Sequence, residues 1–227
     1  MLNVVLVEPE IPANTGNIGR TCVVSGTHLH LVGPLGFSLD DKSLKRAGMA
    51  YWQSLNVSVY DNWDQFLEKN GLAQTSGAPA ADAAHDAVST VDGTSATSRS
   101  PLHFLTKKAK KTYTQATYCD GDYLIFGKES LGLSEELLAQ HADECERIPM
   151  LQDSASLVNR EDWSQKHDAL DGDDQYAHPA LLQQDICGNF IDPNEFSVSA
   201  LNVSNAAAIV LYEALRQIGF PGMDAEE

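Results

Sequence analysis

The sequence lacks the features of a secreted, membrane-bound or zinc-binding protein. Its 227 residues include only four cysteines, which are widely spaced and form no CxxC pair, so they indicate neither a zinc ribbon nor a disulfide framework. No apolar run approaches the roughly 20 residues that a membrane helix needs. The first residues, MLNVVLVEPEIP, lack the basic start of a signal peptide. We therefore expect a cytoplasmic protein with reduced thiols and no membrane partner.

Basic side chains are also scarce. The chain has 15 Lys and Arg against 32 Asp and Glu, a net charge of −17, which argues against a polyanionic partner. The distribution of charge weakens that argument, because residues 72–101 carry a net −2 and residues 153–200 a net −8. The remainder is only mildly acidic and has a lysine cluster at residues 107–111, so nucleic-acid binding stays open.

Two segments have few of the large apolar residues that build a core. Residues 72–100 are almost entirely Ala, Ser, Thr, Gly and Asp, with no aromatic residue, and we predict a flexible insertion there. Residues 158–200 are polar and rich in Asp and Gln, and we predict an acidic insertion. Residues 1–227 then form a single domain that both segments interrupt.

Outside these segments the chain alternates between strand and helix patterns. Short β-branched and apolar runs predict strands at residues 2–7, 28–32, 56–60, 122–126 and 145–150, and ordered structure is expected to resume at residues 102–105. Apolar spacing and caps predict helices at residues 17–24 and 41–49, after Asn62, after Ser134, and at residues 203–218. The alternation is typical of an α/β fold with a mostly parallel sheet flanked by helices, in which ligands bind beyond the carboxyl ends of the strands.

Two loops at that edge contain candidate functional residues. GKESLG (127–132) follows a predicted buried strand; it is no phosphate loop, because Glu129 stands where Ser or Thr is needed, but its glycines let the backbone approach a flat ligand. NTGNIGR (14–20) joins the first strand to the first helix, where backbone amides attract an anion and Arg20 lies one turn inside. The alternatives are an ordinary turn for the first loop and an Asn cap with a surface arginine for the second.

Other polar residues are better explained as structural. His28 and His30 share one face of a predicted strand and could pair at a metal, but no third ligand is in sight, so we predict no metal site. The lysines at 107–111 are more typical of a solvated face than of a binding patch. Tyr212, near the middle of the last helix, is more typical of a core or interface position.

Five motifs follow one another along the chain. They are MLNVVLVEPEIPANTGNIGRTC, GFSLDDKSLKRAGMAYW, DGDYLIFGKESLGL, RIPM and LNVSNAAAIVLYEALRQIG. In this order they resemble the SPOUT superfamily of RNA methyltransferases, and in particular the small bacterial tRNA (cytidine/uridine-2′-O-)methyltransferases of the TrmL type, which modify the wobble nucleotide. The resemblance implies a C-terminal trefoil knot, S-adenosylmethionine as cofactor, tRNA as substrate, and a homodimer with the last helix in or near its interface.

The resemblance also implies roles for individual residues. Arg20 corresponds to the family's arginine near the 2′-hydroxyl, and Asn14 shapes the same loop, so we expect both to be catalytic. The implied cofactor-binding residues are Leu105, Gly127, Glu129, Gly132, Ile148, Met150 and Ser156. Ser199 is the alternative to Ser156, because residues 158–200 interrupt the motif that contains the cofactor-side serine. Lys45 and Arg46 are candidates for binding RNA phosphates.

The implied reaction is methyl transfer from a sulfonium to a ribose 2′-hydroxyl, in which positioning is a large part of catalysis. A guanidinium stays protonated and is a poor base, so we expect Arg20 to hold the adjacent phosphate and hydroxyl while the proton leaves to water or a neighbouring group. Two alternatives remain. One is a 2′-O-methyltransferase of another RNA, such as ribosomal RNA, and the other is a non-catalytic RNA-binding module on the same fold.

Overall fold

Six parallel strands form the sheet in a computed structural model that describes residues 1–39, 50–72, 99–150 and 200–223. The strands are β1 (Asn3–Val7), β2 (His28–Val32), β3 (Val57–Tyr60), β4 (Leu102–Leu105), β5 (Tyr123–Phe126) and β6 (Cys145–Glu146). Their order across the sheet is β3-β2-β1-β5-β4-β6, and every pairing is parallel. The predicted α/β class with a mostly parallel sheet is confirmed.

Helices cover both faces of this sheet. The α-helices are α1 (Pro12–Ser25), α2 (Trp63–Lys69), α3 (Glu135–Gln140) and α4 (Val203–Gln217). Side chains alternate along β1, so that Val4 and Leu6 join a core with α1 and α4, whereas Val5 joins a core with α2 and α3. The apolar face predicted for the last helix is confirmed, since it buries Ala207, Val210, Leu211, Ala214 and Leu215.

The first helix is longer than its apolar spacing predicts. It begins at Pro12 rather than at Asn17, because a proline has a preset φ and needs no amide partner in the first helical turn. No side chain caps it at Ile11, so the Asn cap considered from the sequence is wrong. Gly26 ends the helix in the left-handed region, at φ 61°, as predicted.

The last strand of the sheet is shorter than predicted. Only Cys145 and Glu146 pair with β4, although the apolar pattern indicated residues 145–150. Beyond Glu146 the backbone pairs with residues 111–113 instead of with β4. Arg147 donates its N–H to the Lys111 carbonyl and Tyr113 donates its N–H to the Arg147 carbonyl, each at an N–O distance of 2.9 Å. This edge strand therefore has a ladder of two residues.

The ends of the predicted 72–100 insertion belong to the folded part of the chain. Leu72 is buried in the core with α2 and α3, and Arg99 forms an ion pair with the buried carboxylate of Asp122. Residues 73–98 and 151–199 lie outside the described residues, as does the predicted helix at 41–49. No helix in the described ranges is long and apolar enough to cross a membrane.

Candidate active site

The loops that follow β1 and β5 meet at the carboxyl edge of the sheet. β1 and β5 pair in parallel, with Leu6 opposite Phe126, so both strands deliver their following loops to the same place. Residues 8–11 form the first loop and residues 127–132 the second. This is the edge at which the sequence predicted the functional residues.

Each of the two loops supplies a glutamate that binds the backbone of the other. Oε2 of Glu129 accepts a hydrogen bond from the Glu10 N–H at an N–O distance of 2.8 Å, and Oε1 accepts one from the Ile11 N–H at 3.3 Å. In return, Glu10 accepts the Ser130 N–H over 3.0 Å and the Ser130 hydroxyl over 2.9 Å. Hydrogen bonds to a carboxylate are stronger than neutral ones. We call residues 8–11 and 127–132, joined in this way, the loop clasp.

The side chain of Asn14 connects the loop clasp to the last helix. Its Nδ2 donates to Oε1 of Glu129 over 2.9 Å, and its Oδ1 accepts from Nδ2 of Asn202 over 3.0 Å. Asn202 caps α4, because its Oδ1 accepts the Ser204 N–H over 2.9 Å. The Glu129 carboxylate only accepts hydrogen bonds, so the direction of donation along the chain of contacts is fixed: Asn202 donates to Asn14, and Asn14 donates to Glu129. Three segments of the chain are thereby fixed to one another.

Gly127 closes the second loop on itself. A Cβ at this position would lie 2.1 Å from the carbonyl carbon of Gly132 and 2.3 Å from the amide nitrogen of Leu133, which no side chain allows. Gly132, at φ 70°, lies in the left-handed region and donates its N–H to the Lys128 carbonyl. The loop itself thus requires a glycine at position 127, whether or not a ligand approaches its backbone.

Arg20 projects from α1 into solvent beside an aromatic ring. Its guanidinium carbon lies 5.3 Å from the centroid of the Tyr51 ring, within the range of a cation–π contact. The Tyr51 hydroxyl donates to the carbonyl oxygen of Gly16 and so joins the short 3₁₀ helix Ala50–Ser54 to α1. Within the described ranges no carboxylate forms an ion pair with Arg20.

The predicted cofactor-binding residues that the structure describes lie along neighbouring strand ends. Leu105 ends β4 between Phe126 of β5 and Glu146 of β6. Ile148, two residues beyond β6, is half-buried against the core, and Met150 is exposed. The structure thus brings Leu105 and Gly127 to one edge. Ser156, Ser199, Lys45 and Arg46 lie outside the described residues.

Several partners of the site escaped prediction from the sequence. Glu10 and Asn202 both lie inside recognised motifs, EPEIP and LNVSN, but nothing in those motifs shows that their side chains meet Ser130 and Asn14. Their polar character at the edge of apolar runs was the available signal. Conversely, His30 is structural: it bonds Tyr60 over 2.8 Å and Asn3 over 3.1 Å, and burial together with the nearby charge of His28 lowers its pKa to about 3.

The chain is similar to known RNA methyltransferases over almost its whole length. Residues 1–158 match the SpoU rRNA Methylase family. A Geobacillus stearothermophilus protein, provisionally named tRNA (cytidine(34)-2′-O)-methyltransferase, is 36% identical over 225 residues, which are 98% of this chain and 98% of the relative. An Escherichia coli K12 protein named tRNA (cytidine(34)-2′-O)-methyltransferase is 33% identical over 223 residues, which are 98% of this chain and 97% of the relative.

Solved structures show the same similarity. One, described as giving insight into the 2-OH methylation of C/U34 on tRNA, superposes with a TM-score of 0.58 at 28% identity and covers 96% of this chain and 95% of that one. The SpoU methyltransferase AviRb of Streptomyces viridochromogenes, in complex with the cofactor AdoMet, superposes with a TM-score of 0.57 at 19% identity. The superposition covers 96% of this chain and 60% of AviRb. This likeness shows the shared fold.

Proposed function

The chain belongs to the SpoU methylase family, and we propose that it transfers a methyl group from S-adenosylmethionine to the ribose 2′-hydroxyl of the wobble nucleotide of tRNA. The observation that supports this most strongly is the similarity, over 98% of the chain, to relatives named for 2′-O-methylation of cytidine 34. The family description refers to rRNA, but it matches only residues 1–158, whereas the tRNA-specific relatives also align with the remainder. The enzyme acts in the cytoplasm on its tRNA substrate.

The carboxyl edge of β4, β5 and β6 suits the cofactor. It offers backbone groups at Leu105 and in the loop at 127–132, with the half-buried Ile148 and the exposed Met150 beside them. Apolar side chains next to the backbone at the ends of strands fit a flat base that is recognised by main-chain hydrogen bonds. S-adenosylmethionine supplies an electrophilic methyl group on a sulfonium. Ser156 or Ser199 and Gly132 complete the proposed binding set, and Glu129 shapes it through the loop clasp. The chain around this edge passes through a trefoil knot.

Two residues on α1 serve the RNA substrate, one by direct binding and one by positioning the helix. Arg20 binds the phosphate next to the target ribose and orients its 2′-hydroxyl, because a planar guanidinium can hold two oxygens at once. Asn14 acts indirectly: it is 6% exposed, and its hydrogen bonds to Glu129 and Asn202 fix the start of α1 relative to the loop clasp. Lys45 and Arg46 bind phosphates further along the RNA. The hydroxyl proton leaves to water or to a neighbouring group as the methyl group is transferred.

The enzyme works as a homodimer in this proposal. The last helix supports it, since Ile209 and Tyr212 on α4 are 38% and 44% exposed although both are apolar for most of their surface. They are three positions apart and therefore lie on one side of the helix. A second copy of this chain would cover that side.

Mapping 2′-O-methylated nucleotides in RNA from a strain that lacks this chain tests the proposal. We expect the methyl group to disappear from nucleotide 34 of particular tRNAs and to return when the wild-type gene is restored. Loss of a methyl group from ribosomal RNA instead would identify the other substrate class. An unchanged pattern in both RNAs would identify a non-catalytic module.

A further inference from the structure

Five charged or titratable side chains and a tyrosine meet around two buried carboxylates beside β4, β5 and β6, away from the loop clasp. We call them the buried charge cluster; its members are Arg99, His103, Lys111, Tyr118, Asp122 and Glu146. Asp122 and Glu146 are 1% and 0% exposed, so neither carboxylate is solvated by bulk water. Burying a charge is costly unless it is paired and hydrogen-bonded, so a cluster of this kind needs complete pairing. None of its members is among the site residues predicted from the sequence.

His103 bridges the two buried carboxylates. Its Nδ1 lies 3.0 Å from Oε1 of Glu146, and its Nε2 lies 3.1 Å from Oδ2 of Asp122. An ionised carboxylate only accepts hydrogen bonds, so both contacts are hydrogen bonds only in the imidazolium, in which both ring nitrogens donate. Nη1 of Arg99, which can only donate, also lies 3.4 Å from Nε2, farther than the Asp122 oxygen. Burial alone lowers the pKa of His103, but the hydrogen bonds to Asp122 and Glu146 outweigh it and raise the pKa above its usual value. A neutral ring would leave one of these two contacts without a proton.

Glu146 accepts hydrogen bonds from three side chains, one on β4 and two in the connection between β4 and β5. Besides His103 of β4, Lys111 donates from Nζ to Oε1 over 3.0 Å, and Tyr118 donates its hydroxyl to Oε2 over 2.7 Å. The backbone ladder of β6 is two residues long and, within the described part of the chain, pairs with β4 alone. The hydrogen bonds of the Glu146 side chain therefore contribute much of the attachment of this edge strand to the rest of the sheet.

The chain that leaves Glu146 continues directly into the proposed cofactor site. Arg147 donates its N–H to the carbonyl of Lys111, the same residue whose ammonium group binds Glu146. Residues 148–150 follow at once. In addition, Leu105 lies opposite Glu146 in the β4–β6 register. A displacement of Glu146 would thus move two of the proposed contacts with S-adenosylmethionine.

We propose that His103 and Glu146 are positioning residues, and that the doubly hydrogen-bonded imidazolium of His103 keeps β6 and residues 148–150 in the arrangement that binds S-adenosylmethionine. This inference rests on the proposed function. Neither residue touches the cofactor; both act through the backbone that follows β6. The binding site is complete when His103 is a cation and loosens when it is neutral.

The sign of the resulting pH dependence follows from the groups around His103. It faces Asp122 and Glu146; Arg99 lies 3.4 Å from its Nε2, and the Tyr118 ring centroid lies 4.6 Å from its own. Lys111 pairs with Glu146 on the far side. The pKa values of both carboxyls are lowered, so these groups stay ionised as pH rises, and the pKa of Tyr118 is raised. His103 is then the group in the cluster that loses its proton, above the usual pKa of a histidine.

Calorimetry with S-adenosylmethionine tests the proposal on the full-length protein. We expect wild-type affinity to fall at least about fivefold between about pH 6 and about pH 9. His103→Gln should bind roughly tenfold more weakly at the lower pH and show little further change with pH. KM for S-adenosylmethionine should rise in this variant, while kcat at saturation stays within about twofold. His28→Gln, a strand histidine outside the cluster, is the matched control and should behave as wild type.

A measurement on the wild-type protein guards against misfolding of the variant. By linkage, if the cationic ring favours cofactor binding, then saturation with S-adenosylmethionine must raise the pKa of His103, which NMR of the labelled ring reports. An unchanged His103 titration on binding, or wild-type affinity in a folded His103→Gln protein, would overturn the proposal and leave the proposed function intact. A wild-type protein that does not bind S-adenosylmethionine would overturn both.

Discussion

Asn14 donates a hydrogen bond to Glu129 over 2.9 Å, although 115 positions of the chain separate the two residues. The contact joins the start of the helix that contains Arg20 to the loop after β5. Glu129 was predicted from the sequence to bind the cofactor, but all of its hydrogen bonds in the described residues go to Glu10, Ile11 and Asn14. The geometry therefore favours a role for Glu129 in holding α1 against the loop that follows β5.

The exchange Glu129→Gln tests this role. The side chain keeps its shape, but an amide NH₂ replaces one of two oxygens that accept bonds from three donors, so at least one contact is lost. We expect the rate of methyl transfer to fall about 10- to 100-fold, with a smaller loss of S-adenosylmethionine affinity. Glu136→Gln, at an exposed position on α3, is the control. If affinity falls as far as the rate, Glu129 binds the cofactor directly, as the sequence suggested.

Gly127→Ala should destabilise the protein, not merely weaken cofactor binding. The added Cβ would overlap the backbone of Gly132 and Leu133, which cannot move without opening the loop. We expect a loss of about 2 kcal/mol or more, which is about 4–8 °C in Tm for a chain of this size. Gly19→Ala, whose Cβ would meet a Leu55 side-chain carbon at 3.1 Å, should cost less. Equal Tm values for Gly127→Ala and wild type would contradict the steric argument.

Arg20→Lys should separate catalysis from cofactor binding. Lysine retains the charge but loses the planar fork that can hold a phosphate and a hydroxyl together. We expect methyl transfer to fall about 100-fold and the Kd for S-adenosylmethionine to stay within about threefold of wild type. Both are measured on one folded preparation. A parallel loss of cofactor affinity would make Arg20 a structural or cofactor residue, and full activity would show that a point charge suffices.

Most of the 72–100 segment should be dispensable, provided that its ordered ends are kept. We expect a protein in which a short Gly/Ser linker replaces residues 74–97 to melt within about 5 °C of wild type, because Leu72 and Arg99 remain. Calorimetric melting of the two proteins decides the matter. A larger decrease in Tm would show that residues within 74–97 pack against the domain.

The Arg99–Asp122 ion pair explains why the boundary matters. Asp122 is almost fully buried, and Arg99 contacts both of its carboxylate oxygens, over 2.6 and 2.9 Å. The Arg99 side chain is 40% exposed, so water can replace some of the hydrogen bonds that Asp122 loses when Arg99 is removed. We expect Arg99→Ala to lower the free energy of unfolding by about 1–3 kcal/mol in urea denaturation. A change below about 0.5 kcal/mol would show that His103 and the Cys119 N–H suffice as partners of Asp122.

His30 should make the protein less stable in mild acid. Its pKa is about 3 in the folded chain, because burial and the charge of His28 disfavour the proton, against about 6.5 when unfolded. The unfolded state therefore binds the proton first, and stability falls as pH drops from about 6.5 towards 3, by up to about 1.4 kcal/mol per pH unit. Urea denaturation across this range should show a shallower decrease for His30→Gln than for wild type. An identical decrease would assign the effect to other groups.

Apolar and β-branched runs were sufficient to predict β1, β2, β3 and β5, because buried parallel strands favour such residues. The start of α1 was missed because Pro12 and two glycines resemble a loop, although a proline suits the first turn of a helix. The length of β6 was overestimated because a local pattern cannot show that Arg147 pairs with Lys111 instead of with β4. Apolar periodicity reports burial, but not which neighbour is buried against the strand.

The same limit applies to the site. Motifs indicated Asn14, Arg20, Gly127 and Glu129, yet the contacts of Asn14 and Glu129 are hydrogen bonds between segments more than 100 positions apart. For Gly127 the motif gave the residue without the reason, since the close contact with Gly132 appears only when the loop is folded. His103 and Glu146 gave no signal, because a single polar residue in an apolar strand does not reveal the opposite charge that it meets.

Transfer of a labelled methyl group from S-adenosylmethionine to purified tRNA tests the proposed reaction most directly. Two tRNAs are compared, one with a normal ribose at a wobble C or U and one with 2′-deoxyribose at that nucleotide alone. We predict that the purified protein labels the first and not the second, because only the first has the oxygen that accepts the methyl group. Equal labelling of both tRNAs, or no labelling by a folded protein that binds S-adenosylmethionine across a full set of tRNAs, would contradict wobble 2′-O-methylation.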